Sequence, residues 1–156
     1  MEVLIDSNIK VGVKASNREE IFGIIADTAI ASGYANNKYG ILDGLKAREK
    51  QGSTGTESGF AIPHAIGDAI DYAAIVILKL EEPIPFKKWK TLDGKPVDYV
   101  ISLLAPQGAG SSHLRILSTL SALLVDDDFQ VQLKAKATPI EIYKFLRAEL
   151  AKKAKS

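Results

Sequence analysis

Two apolar runs of strand length constrain this chain more than any other feature. They are Ala73–Leu80 (AAIVILKL) and Val97–Ala105 (VDYVISLLA). Both read as buried strands. A sheet built from such strands needs cover on both faces. The rest of the sequence offers helices to provide it. Asn17 caps the first, with Glu20 three residues on in capping-box position. Ile21, Ile24, Ile25, Thr28 and Ala29 then repeat at helical spacing until Gly33 stops the helix. A second helix is expected from about Lys38 to Lys50, with Tyr39, Leu42 and Leu45 on one face. Gly40 and Gly44 count against it. Ser111 or Ser112 is expected to cap a third, with Ile116, Leu117, Leu120, Leu123 and Leu124 as its apolar face. Asp126 to Asp128 should break that helix and start a short one through Phe129 and Leu133. Thr138-Pro139-Ile140-Glu141 starts the last helix, which carries Ile142, Phe145, Leu146 and Leu150.

Between these elements, Val3–Val13 reads as strand-like, with Ile9, Val11 and Val13 alternating. Gly52–Gly59 (GSTGTESG) reads as a loop. FAIPH follows as a short extended piece ending at Pro63 and His64. Glu81–Pro96 reads as a loop or ribbon, and Pro106–Gly110 as a turn. The expected architecture is α/β: one domain over residues 1–156, with a central sheet covered by helices on both faces.

Several function classes drop out. Twenty basic and 19 acidic residues give a net charge of +1, no footprint for nucleic acid or an anionic membrane. There is no cysteine, which excludes disulfides, thiolate nucleophiles and Cys-based metal sites. The acidic, quickly polar start MEVLIDSNIKVGV is no signal peptide. No apolar stretch approaches the roughly 20 residues of a membrane span, so a soluble cytoplasmic protein is expected. Lys152, Lys153 and Lys155 read as a helix end with cations near its negative pole. No GxGxxG, Walker A or GxSxG motif is present.

The two histidines can each be weighed. His64 stands beside Pro63, downstream of the Gly/Ser/Thr loop. That loop could bring backbone N–H groups and the Ser53 and Thr54 hydroxyls to an anion. Alone, His64 reads more readily as a turn histidine. His113 falls in the first turn of a helix, where free N–H groups and the dipole favour anions. Arg48 lies near the end of the second helix, just before the loop, where a guanidinium could hold a phosphate in bidentate fashion. Each signal is weak alone. Together they can converge on one tetrahedral anion. Two histidines without His or Cys neighbours do not make a zinc site, and no metal or cofactor is expected.

At this point a resemblance enters. AREKQGSTGTESGFAIPH resembles the active-site segment of the EIIA domains of the bacterial phosphoenolpyruvate-dependent sugar phosphotransferase system, fructose–mannitol (type 2) class. Arg48, Glu49, Gly52, Ser53, Thr54, Gly55 and Ile62-Pro63-His64 carry it. Leu92–Phe129 resembles that class's second signature, through Asp93, Gly94, Pro96, Val97 and His113-Leu114. The resemblance implies a mixed sheet flanked by helices. It implies that His64 accepts a phosphoryl group from HPr, carries it as a tele-phosphohistidine, and donates it to a cysteine of an EIIB domain that serves a membrane EIIC. His113 would contact the phosphoryl group, Arg48 would steady its charge, and Ser53 and Thr54 would line the phosphate loop. A regulatory, nitrogen-type EIIA would share this chemistry, whereas a non-enzymatic binding module would use the same anion site only to recognise a phosphorylated ligand. The acceptor that orients the second nitrogen of His64 is not named by the sequence. An apolar docking patch round His64 is expected, with Phe60, Ile66, Phe86 and Trp89 as candidates. Trp89, between Lys87, Lys88 and Lys90, reads as the more exposed.

Overall fold

The structure, a computed structural model, describes residues 1–154, so Lys155 lies outside the described residues. The two apolar runs form the middle of one five-stranded sheet, as strands β4 (Ala74–Ile84) and β5 (Val97–Pro106). They pair antiparallel, with Ile75 opposite Leu103, Ile77 opposite Ile101 and Leu78 opposite Val100. β1 (Ile9–Val13) lies parallel to β4 on one side. β2 (Phe60–Ala61) and β3 (His64–Gly67) lie parallel to β5 on the other, so the sheet is mixed.

Successive strand residues point to opposite faces, and this divides the interior in two. Ile75, Ile77, Tyr99, Ile101 and Leu103 meet Leu120, Leu124, Phe129, Leu133, Ile142 and Leu146. Those partners come from α3 (Ser111–Leu124), α4 (Asp127–Ala135) and α5 (Pro139–Ala154). Val76, Leu78, Val100 and Leu104 meet Ile21, Phe22, Ile25, Ile41 and Leu45 on the other face. These belong to α1 (Arg18–Ala31) and α2 (Lys38–Lys50). The sheet is thus covered on both faces, as expected.

The helix starts follow local chemistry. The Asn17 side chain accepts the Glu20 N–H at 2.9 Å, and Glu20 reaches back to the Ser16 N–H at 3.0 Å. Asp126 caps α4 through the Phe129 N–H, and Thr138 and Glu141 bond across the start of α5. α2 runs over the expected residues, and of its expected face Leu45 is buried and Leu42 packs against the core, while Tyr39 is exposed. The helix also buries Ile41. Its two glycines are explained by close packing. A Cβ at Gly40 would sit 2.7 Å from the Cβ of Ala69, and one at Gly44 3.0 Å from that of Ala65. α2 therefore lies almost against β3.

Other expectations are corrected. Val11 is exposed, because only Ile9 of β1 turns fully inward. β4 continues to Ile84, so the start of Glu81–Pro96, read as a loop or ribbon, is strand. The cap of α3 is Gly110, not Ser111 or Ser112, and it makes no side-chain bond. Its φ of 58° is one that glycine adopts without strain, so the helix can begin at Ser111.

Candidate functional site

β2 and β3 are one edge strand with a break in it. Phe60 faces Tyr99, Ala61 faces Val100, and His64 faces Leu103, at the same offset on both sides of the break. Pro63 has no N–H to continue the ladder, and such residues are tolerated at a sheet edge. The Pro63 carbonyl still accepts the Leu103 N–H at 3.2 Å. His64 therefore opens β3, where the sequence suggested that it closed a strand. By alternation it faces the α3 side with Leu103, while Ala65 faces α2.

The break frees the Ile62 carbonyl, which lies 2.9 Å from His64 Nδ1. A carbonyl only accepts, so Nδ1 carries the proton and Nε2 keeps a lone pair. Here is the acceptor that the sequence left unnamed. Arg48 donates from Nε to His64 Nε2 at 3.1 Å and from a terminal nitrogen to the Gly52 carbonyl at 2.8 Å. The His113 ring lies across from that of His64, with centroids 5.9 Å apart. His113 is buried, and among the described residues its Nδ1 has no hydrogen-bond partner. Thus Arg48, His64 and His113, predicted from three separate elements, come together.

Electrostatics favour a neutral His64. Burial above all lowers its pKa from the ordinary imidazole value. The bond to Ile62 opposes this, the Arg48 charge reinforces it, and the Glu49 charge opposes it. His113 is lowered too, chiefly by burial and then by His64. Two neutral imidazoles and one guanidinium face each other. The set offers a nucleophilic lone pair with a cationic donor beside it.

The loop hydroxyls are used differently from expectation. The Ser53 hydroxyl donates to the Lys90 carbonyl at 2.5 Å. The Thr54 hydroxyl bonds the Glu49 carboxylate inside the protein. Each has one proton, and each spends it on the protein, so neither is free to donate to a phosphate in this arrangement. Gly55 is needed where it stands, since a Cβ there would strike the Lys90 carbonyl. Glu57 is half-buried in the turn that ends at Gly59, with its carbonyl on the Phe60 N–H. The docking candidates divide. Ile66 and Phe86 are exposed, but Phe60 and Trp89 are wholly buried. Trp89 meets the edge of Phe22 at 6.0 Å, inside the α1–α2 core.

Among the described residues, no group of three or more His, Cys, Asp or Glu gathers to hold a metal ion. Among them, too, no helix is long and apolar enough to cross a membrane.

Known proteins are similar to this chain over most of its length. The family model for "Phosphoenolpyruvate-dependent sugar phosphotransferase system, EIIA 2" matches residues 2–149. A "Nitrogen regulatory protein" of Bradyrhizobium diazoefficiens is 34% identical over 131 residues, 84% of this chain and 82% of the relative. The "PTS system fructose-specific EIIABC component" of Bacillus subtilis is 30% identical over 132 residues, 85% of this chain but only 20% of that longer protein. Among solved structures, the nitrogen regulatory protein IIA-Ntr of Neisseria meningitidis superposes with a TM-score of 0.82 at 27% identity, covering 92% of this chain and 96% of that one. With a model spanning nearly its whole length and a relative of matching extent, this chain belongs to the type-2 EIIA family of the phosphoenolpyruvate-dependent sugar phosphotransferase system.

Proposed function

We propose that this chain is a cytoplasmic phosphoryl carrier that holds the group on Nε2 of His64, as a tele-phosphohistidine. One observation carries the reading: Nδ1 is tied to the Ile62 carbonyl, so Nε2 is the nitrogen that keeps a lone pair, which accepts the Nε–H of Arg48. The donor is the phosphohistidine of HPr. A bond forms between phosphorus and Nε2 while the P–N bond of the donor breaks, its electron pair returning to the donor ring. Arg48 turns its Nε–H from Nε2 to a phosphoryl oxygen, and His113 contacts the group from the other side. Charge spread over the oxygens in the transition state is thus met by fixed donors. The Nδ1–H stays on the Ile62 carbonyl, and the positively charged ring is then a good leaving group. A cysteine thiolate of an EIIB domain attacks phosphorus next, and the pair returns to Nε2.

Two destinations share this chemistry. The first is sugar uptake through EIIB and a membrane EIIC. The second is regulation through protein contacts, and a specific observation favours it: the relatives matched over more than four-fifths of both chains include nitrogen regulatory proteins. The test begins upstream of that choice. The protein is incubated with phosphoenolpyruvate, enzyme I and HPr, and acid-labile phosphate is located by mass spectrometry beside a His64→Ala variant. Phosphate on His64 is expected. Its absence with active HPr would sink the carrier reading. Transfer onward to EIIB then separates uptake from regulation.

A further inference from the structure

We propose that Glu49 and Thr54 are positioning residues for His64, holding its reactive tautomer through the Ile62–Pro63 peptide. The proposal rests on the reading of His64 Nε2 as the acceptor.

Glu49 is the residue after Arg48 in α2, yet its side chain is only 3% exposed. A carboxylate so deep must be well partnered. Its two oxygens accept the Thr54 N–H at 3.2 and 3.3 Å, and one also accepts the Thr54 hydroxyl. Arg18 stands 3.7 Å away. Thr54 is thereby held by both its backbone and its side chain. Its carbonyl in turn accepts the Ile62 N–H at 3.0 Å, and the next residue, Gly55, bridges antiparallel to Ala61.

The consequence falls on one peptide. Ile62 is anchored at its N–H by Thr54, and Pro63 at its carbonyl by the Leu103 N–H at 3.2 Å. Between those anchors lies the Ile62 carbonyl, which takes the proton of His64 Nδ1 at 2.9 Å. Its direction decides which ring nitrogen holds the proton. The end of α2 thus governs both nitrogens of His64. Arg48 touches Nε2 directly, and Glu49 acts on Nδ1 at two removes. Without the Glu49–Thr54 link, the segment from Gly52 to Gly55 loses its hold on α2, and the Ile62 carbonyl its fixed aim. A proton on Nε2 would then compete with the proton on Nδ1 and block the lone pair.

The test uses Glu49→Gln, Thr54→Val and Thr54→Ser in the full chain. Glu49→Gln removes the charge at equal size, Thr54→Val removes the hydroxyl at nearly equal shape, and Thr54→Ser keeps it. Nitrogen NMR of His64 reads the tautomer without any phosphoryl donor, so it stands even if the carrier reading fails. Wild type and Thr54→Ser should show the Nδ1–H form. Thr54→Val and Glu49→Gln should show a mixture containing the Nε2–H form. Where HPr does phosphorylate the wild type, single-turnover acceptance should fall by about tenfold or more in those two variants, with Thr54→Ser restored to within about threefold. Unchanged Nδ1–H tautomer in a folded Thr54→Val protein would overturn the proposal. So would a rate loss in Thr54→Ser equal to that in Thr54→Val.

Discussion

The two sides of β5 are built on different principles. On one side β4 lies against it in a long antiparallel ladder, and most of the paired residues are buried and apolar. On the other side β2 and β3 pair with it, and the strand they form is broken at Ile62-Pro63. Close to that break sit a buried glutamate, a buried threonine and a buried histidine. The apolar ladder carries stability because burial of aliphatic side chains is additive and undemanding in direction. The broken edge suits the proposed chemistry because an interruption frees a backbone carbonyl for a side chain. A reactive histidine needs such a fixed acceptor, and a complete ladder would have none to spare.

Substitutions can break this comparison. The largest effect is expected from His64→Ala, which should abolish acid-labile phosphate altogether while leaving the melting temperature within a few degrees. A large loss of melting temperature would show that the edge is also a structural keystone. Next come residues of the apolar cores. Leu78→Ala in the ladder should cost about 2–5 kcal/mol of unfolding free energy, and Trp89→Ala about 3–5 kcal/mol, both read by denaturant unfolding. The folded fraction of each should still accept phosphate at nearly the wild-type rate. A Trp89→Ala protein of normal stability but poor transfer would restore Trp89 as a docking residue, against its burial.

Arg48→Ala comes third. Loss of a charged donor at the reacting centre typically costs about a hundredfold in rate. Arg48→Lys should recover only part, since an ammonium cannot serve His64 and the Gly52 carbonyl with one rigid fork. Rapid-quench measurement of phosphate on His64 would decide. Full activity in Arg48→Ala would remove the guanidinium from the chemistry.

The smallest effect is on pH. His64 and His113 are both lowered, mainly by burial, so the folded protein resists protonating them. Their contribution to stability is present above the unfolded value of about 6.5 and is lost as pH falls through the lower folded values. The melting temperature should therefore decline in mild acid, and less so in a His64→Ala, His113→Ala double variant. Phosphoryl acceptance should hold up below pH 6.5, because His64 stays neutral there. An acceptance rate that halves at pH 6.5 would contradict the burial effect.

Some of this was legible before folding. Caps are decided within three or four residues, so Asn17, Asp126 and Thr138 marked their helices correctly. The apolar runs announced two buried strands because a continuous hydrophobic stretch has few other places to go, and the structure puts them at the centre of the sheet. On α2, Leu42 and Leu45 were placed on the packed face, but Tyr39 is exposed and Ile41 is buried in its stead, with Gly40 set close to Ala69 and Gly44 close to Ala65. Trp89 was misjudged because three flanking lysines suggest water, whereas each can extend outward from a buried indole.

By itself the sequence determined an α/β sheet covered on two faces, most of the helix boundaries and the three groups that meet at the site, Arg48, His64 and His113. Periodicity, capping and motif spacing are properties of neighbouring residues, and they survive reading along a line. Only the tertiary structure decided that Ile62 supplies the acceptor for Nδ1, that Thr54 serves Glu49 in place of an anion, and that Trp89 closes a core. Those outcomes depend on which lone pair, carboxylate or ring is brought within hydrogen-bond or van der Waals reach. Such short-range contacts exist only after distant segments have packed.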